Sequence, residues 1–171
     1  MQFLFMTLFA AGIVAADQIT KYLTVANIAL YQDVEFIPGF LGFTYVQNTG
    51  AAFSILSQHT WLLTVVSAVV AVVLIVMLCK GVVRHPFGKT TLSLIIAGAI
   101  GNLIDRAVFG FVTDMFRTLF MEFAVFNVAD ICVVVGGIAF CIYFLFFFDK
   151  LEGDPSHTEK GESHGHHPDH R

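Results

Sequence analysis

Four apolar segments, each close to the length that crosses a bilayer, limit what this chain can fold into. They run over about residues 3–25, 61–78, 92–111 and 126–148. A helix needs ~20 predominantly apolar residues to span hydrocarbon, where every backbone polar group must be satisfied within the protein. The second segment carries no charge at all. Composition agrees: 13% of residues are charged and 57% hydrophobic, against about 25% charged in soluble domains. The 171 residues leave no room for a large extramembrane domain. The predicted fold class is therefore an all-α membrane protein with four transmembrane helices in a single domain over 1–148. No basic patch with interleaved aromatics is present, which argues against nucleic acid.

The first segment ends in Val14-Ala15-Ala16, which is similar to a signal-peptide cleavage site. Met1-Gln2 supplies no basic start, however, and apolar sequence resumes after Asp17, so a retained helix is expected. Lys80, Arg84, His85 and Lys89 make the connection between the second and third segments the only basic short loop, which predicts a cytoplasmic location. Both termini are then cytoplasmic, and residues 26–60 and 112–125 lie outside. The first outer connection is too long for a plain turn. Residues 34–37 and 41–46 read as two β-type runs around Pro38-Gly39, predicting a small extracytoplasmic β element over about 30–47. Residues 50–56 read as a short interfacial helix or re-entrant piece. From 149 onward the chain is polar and holds five of the seven histidines, a composition that predicts a disordered cytoplasmic tail. The histidine spacing matches no closed metal site. Cys79, Cys132 and Cys141 are odd in number, lack CxxC spacing, and read as small apolar core residues.

With that topology the polar residues inside the apolar segments converge. Asp17, Gln18, Thr20 and Lys21 fall near the outer end of the first helix. Asn102, Asp105 and Arg106 fall in the outer half of the third. Asp114 follows at the outer interface, and Asn127 and Asp130 open the fourth. An ionised carboxylate in hydrocarbon costs at least about 2.5–3.5 kcal/mol, so such acids point to function. Asp17 and Lys21, at i,i+4, read as a pair that holds helices together, and Asp105 reads as neutralised by its neighbour Arg106. Asp114 and Asp130 differ, because neither has a dedicated cation; Arg117, at i+3 from Asp114, lies in a stretch not evidently helical. Two carboxylates that meet cannot both ionise cheaply, and the pair shares a proton. One then takes a proton from water while the other protonates a carbonyl oxygen. HExxH, GxSxG, a Walker loop and a Cys/His nucleophile pair are all absent from the sequence. An aspartyl peptidase, a proton- or ion-coupled transporter using the same acids, and a structural membrane subunit all remain open. The apolar inner halves of the helices offer no relay for transport.

Five blocks carry a resemblance. Asp17-Gln18-Ile19-Thr20-Lys21, Gln47-Asn48-Thr49-Gly50-Ala51-Ala52-Phe53, Gly101-Asn102-Leu103-Ile104-Asp105-Arg106, Gly110-Phe111-Val112-Thr113-Asp114-Met115 and Phe126-Asn127-Val128-Ala129-Asp130 occur in that order. In order and spacing they resemble the motif blocks of the lipoprotein signal peptidases (signal peptidase II), over about residues 3–148. The resemblance implies a bacterial inner-membrane aspartyl endopeptidase that works without metal or cofactor, and a monomer is expected. It implies cleavage of prolipoproteins just before a diacylglyceryl-modified cysteine, at the outer leaflet, with an extracytoplasmic β-cradle beside the site. By the same carry-over Asp114 and Asp130 are the catalytic dyad, and Asn48 and Gly50 line the cleft. Asn102, Arg106, Asn127 and Ala129 hold peptide and dyad, and Asp17 with Lys21 supports them. One departure is Ala124, where the family often has proline.

Overall fold

The computed structural model describes residues 2–50 and 60–148. The expected interfacial helix and the histidine-rich tail lie outside the described residues. Four helices, α1 (Gln2–Asn27), α2 (Thr60–Cys79), α3 (Pro86–Phe109) and α4 (Val128–Phe146), are each long and apolar enough to cross a membrane. Three strands, β1 (Asp33–Ile37), β2 (Leu41–Asn48) and β3 (Val112–Thr118), form one antiparallel sheet in that order.

α3 is the centre of the bundle and packs against the other three helices. Its buried face includes Leu92, Ile96, Ala97, Gly98, Gly101 and Asn102. Small residues allow the close approach that membrane helices depend on. A Cβ on Gly98 would lie 2.4 Å from the Ala129 carbonyl oxygen of α4, and one on Gly136 would lie 3.1 Å from the Thr91 carbonyl oxygen. α2 is the outlying helix, with Val65, Val69 and Val72 exposed toward the surroundings. Cys132 is buried, whereas Cys79 and Cys141 face outward, so only one of the three thiols is in the core.

α3 starts at Pro86, ahead of its apolar run. His85 caps it in an extended conformation, accepting from the Phe87 N–H, and proline at the first position has the φ a helix start needs. The polar residues Lys89, Thr90 and Thr91 thereby become helical. At this end of the bundle Tyr143 is fully buried, with the His85, Phe87 and Phe140 rings around it.

The sheet sits at the other end. Ile37, Pro38, Gly39 and Phe40 form its tight turn, closed by Phe40 N–H on the Ile37 carbonyl at 2.9 Å. Gly39 takes φ 67°, the value that favours glycine at the third position of a type II turn. The segment after α3, expected to lie outside with no secondary structure assigned, begins with β3. Gly110 ends the helix in the left-handed conformation, and Val112–Thr118 then pairs antiparallel with β2. Val46 opposes Asp114, so the sheet places this acid directly over the helices.

Candidate active site

The local chemistry of one helix start places the first acid. Asn127 is the N-cap of α4, and its side-chain oxygen accepts the Asp130 N–H at 2.9 Å. Asp130 returns the bond, with Oδ2 accepting the Asn127 N–H at 3.2 Å. This reciprocal capping box fixes the Asp130 backbone and side chain together, at the end of the helix that favours negative charge.

Asp114 arrives from the sheet and is 1% exposed. Asn127 Nδ2 donates to its Oδ1 at 2.6 Å, and Asn48 Nδ2 donates to its Oδ2 at 2.9 Å. Asn48 is itself oriented, because its oxygen accepts the Gly50 N–H at 2.9 Å. Asn102 Nδ2 donates to Asp130 Oδ1 at 2.7 Å. Three asparagines from β2, α3 and the start of α4 thus bring the two acids into one network, through Asn127 above all. Burial first, and then the nearby Asp130 charge, push the Asp114 carboxyl up to about 7, against the bonds from Asn48 and Asn127 that favour its ionised form.

Behind this layer lies a second one. Lys21 Nζ is 2.8 Å from Asp17 Oδ2 and 3.1 Å from Asp105 Oδ2, and it donates to Asn102 Oδ1 at 3.0 Å. The expected Asp17–Lys21 pair is present, but it is not a simple helix staple. Asp105 does not pair with Arg106 as the sequence suggested. Adjacent helix residues point about 100° apart, and Asp105 instead turns to Lys21 and accepts from Gln18 Nε2 at 2.9 Å. It also accepts the Thr113 N–H at 2.9 Å, while Asp17 Oδ1 accepts the Ala129 N–H at 2.9 Å. Gln18 and Asp105 were not among the candidate site residues. Their signal was their spacing, beside Asp17 and one turn after Asn102.

Two cavities meet at this wall. One, of about 600 Å³, is mostly apolar; it runs between α2, α3 and α4 past Val66, Val70, Ile95 and Val134 to Asp114 and Asp130. The other, of about 640 Å³, is more polar and is lined by Tyr31, Gln47, Thr49 and Glu122. Asn48, Asp114 and Ala124 belong to both. Arg106 lines the apolar cavity; one of its terminal nitrogens reaches the Gly50 carbonyl oxygen at 3.4 Å, and its buried Nε has no partner among the described residues. Every candidate residue therefore falls in one of the two layers or on the cavity walls. The described residues contain no cluster of side chains suited to a metal.

Comparison with known proteins agrees with this architecture. The family model for signal peptidase (SPase) II matches residues 9–146. The lipoprotein signal peptidase of Enterococcus faecalis is 47% identical over 138 residues, covering 81% of this chain and 86% of its own length. That of Clostridium acetobutylicum is 39% identical over 147 residues, covering 84% and 95%. A bacterial membrane enzyme solved by the in meso method at 2.3 Å superimposes with a TM-score of 0.77 at 31% identity, covering 88% of this chain and 92% of its own. The chain is thus a multi-pass membrane protein that belongs to the signal peptidase II family of peptidases.

Proposed function

We propose that this peptidase removes signal peptides from prolipoproteins, cutting just before a diacylglyceryl-modified cysteine, with Asp114 and Asp130 as its dyad. The observation that carries the reading is a pair of carboxylates joined by asparagine amides where an apolar and a polar cavity meet. A signal peptide is an apolar helix and suits the groove between α2, α3 and α4. The polar cavity suits water and the first residues of the mature protein.

The chemistry needs one proton on the pair. Asp114, raised to about 7, holds it at neutral pH. Asp130, accepting from Asn102 and from the Asn127 backbone, is the carboxylate that draws a proton from water. The resulting hydroxide adds to the scissile carbonyl carbon, and Asp114 protonates the carbonyl oxygen. Asp130 then passes its proton to the amide nitrogen as the C–N bond breaks, and Asp114 recovers its own. The Arg106 guanidinium, which lines the groove and already reaches the Gly50 carbonyl oxygen, holds a substrate carbonyl. Asn48 keeps Asp114 facing the cleft, and Gly50 orients Asn48.

The sheet lies at the opposite end of the bundle from Lys80, Arg84 and Lys89, which supports a cytoplasmic basic loop and termini and an active site at the outer leaflet of the bacterial inner membrane. Incubation of the purified protein in lipid with a diacylglyceryl-modified precursor tests the activity. Release of the signal peptide with cysteine as the new N-terminus is expected; cleavage of the unmodified precursor at the same rate contradicts the proposed specificity.

A further inference from the structure

Lys21 occupies a place that neither acid–base chemistry nor helix packing accounts for. It is 4% exposed, and its ammonium contacts Asp17, Asp105 and Asn102. It forms no ion pair with Asp114 or Asp130 among the described residues. We propose that Lys21 is the positioning residue of the dyad: by offering donors alone, it fixes the amides of Asn102 and Asn127 so that each presents N–H to one reacting carboxylate. This inference rests on the dyad reading above and assigns Lys21 and Asp105 a part in it.

An asparagine side chain has an accepting oxygen and a donating nitrogen in nearly the same shape, and its surroundings decide which way round it sits. Toward an ammonium only the oxygen can point. Lys21 Nζ lies 3.0 Å from Asn102 Oδ1, so Asn102 Nδ2 must face the other way, where Asp130 Oδ1 accepts it at 2.7 Å. The remaining lone pair of Asn102 Oδ1 is taken by Asn127 Nδ2 at 3.1 Å. That choice orients the second amide as well. Asn127 Nδ2 then also reaches Asp114 Oδ1 at 2.6 Å, while Asn127 Oδ1 faces the Asp130 N–H at 2.9 Å. Reversing Asn102 would set its nitrogen against Lys21 and Asn127 Nδ2, and its oxygen against the Asp130 carboxylate. The order passes from one cation through two amides to two acids.

The same ammonium also ties down the backbone that carries each acid. Its two anionic partners grip the amides that immediately precede the dyad in sequence. Asp17 holds Ala129 N–H, next to Asp130, and Asp105 holds Thr113 N–H, next to Asp114, each at 2.9 Å. One side chain on α1 thus joins the start of α4 to β3. Gln18 reinforces the arrangement by donating to Asp105 Oδ1 at 2.9 Å and to the Gly101 carbonyl at 3.2 Å.

A purely structural lysine would change stability without changing how the dyad titrates, and that difference is the test. Rates of cleavage of a lipid-modified precursor are measured against pH and substrate concentration for the parent, Lys21→Arg, Lys21→Met and the charge-balanced Lys21→Met/Asp105→Asn, with thermal unfolding alongside. Arginine also offers only donors, so Lys21→Arg keeps the alkaline limb of the parent. Both methionine variants lower kcat by about tenfold or more, with KM within about threefold, because the lost contact acts in the transition state. Their alkaline limb moves up by about half a pH unit or more, because a cation that helped Asp114 ionise is gone. If Lys21→Met alone unfolds through its stranded acids, the double variant carries the comparison. The proposal is overturned by a folded methionine variant with parental kcat and limb, by a loss confined to KM, by the same limb displacement in Lys21→Arg, or by unfolding of both methionine variants. Asp114→Asn and Asp130→Asn in the same assay separate the two readings: activity in those refutes the dyad itself, whatever Lys21 does.

Discussion

Asn127 Nδ2 lies 2.6 Å from Asp114 Oδ1, so the residue that caps the last helix also grips the acid on the sheet. Helix start and candidate site are built by one side chain. The cap orients Asp130, and the spare donors of the same amide reach Asp114 and Asn102. Substitutions at this residue separate its two duties.

Asn127→Asp keeps a good N-cap but replaces the donating amide with another acid. Aspartate caps helices as well as asparagine does, so at a pH low enough to keep the added acid protonated thermal stability stays close to the parent. Cleavage falls steeply, because Asp114 loses a donor and gains a negative neighbour. Asn127→Ala loses both duties, with about 1 kcal/mol of cap stability gone as well as activity. Thermal unfolding and initial rates on the pair check the separation; equal stability loss in both contradicts it.

The pH dependence follows from the Asp114 carboxyl, raised from its ordinary 3.8 to about 7. A raised carboxyl favours the fold while protonated. That contribution is complete below 3.8 and is lost as pH rises through about 7. Cleavage follows the same proton: kcat declines above about 7 as the acid is lost, and declines at low pH as the second carboxylate protonates. A rate profile from about pH 4 to about pH 10 should be bell-shaped; a flat alkaline side contradicts the assignment of the acid.

Two glycines make opposite predictions. A Cβ on Gly101 would sit 2.6 Å from Asp17 Oδ2, the carboxylate that holds the Ala129 amide. Gly101→Ala is expected to cost about 1–3 kcal/mol and to lower activity by displacing the start of α4. A Cβ on Gly137 meets nothing within 4 Å, so Gly137→Ala leaves both stability and cleavage unchanged. Thermal midpoints of the two variants, measured in one detergent, decide the point.

The Asp33–Arg117 ion pair joins β1 to β3 with both side chains about half exposed. Exposed pairs contribute little after screening and side-chain entropy. Arg117→Ala therefore leaves the thermal midpoint and the cleavage rate near parental, and a large loss of either shows that the sheet depends on this pair. This also separates the two charged residues of β3: Arg117 pairs with Asp33, whereas Asp114 accepts from Asn48 and Asn127.

The sequence reveals the helices because hydrocarbon leaves few alternatives, and hydropathy with loop charge sets Asp17, Asn102, Asp114 and Asn127 at one depth. β3 escaped because a strand of seven residues beside a long apolar helix has no periodicity strong enough to stand out. Its acid looked like the end of a span, whereas the sheet register places it. The role of Asp105 escaped for a different reason. Its neighbour Arg106 is the nearest cation in sequence, but the helix turns the two apart, and the partner, Lys21, comes from another helix. Pairings within one turn are legible from spacing; pairings between helices depend on packing that only the fold supplies.

The account rests on two carboxylates acting together. Asp114→Asn and Asp130→Asn nearly keep the side-chain shape while removing the ability to hold or take a proton. The most direct measurement is the initial rate at which each folded variant cleaves a diacylglyceryl-modified precursor. A fall of at least about a thousandfold in both is expected, since residues that act as a unit fail together. Near-parental cleavage by either one contradicts the dyad.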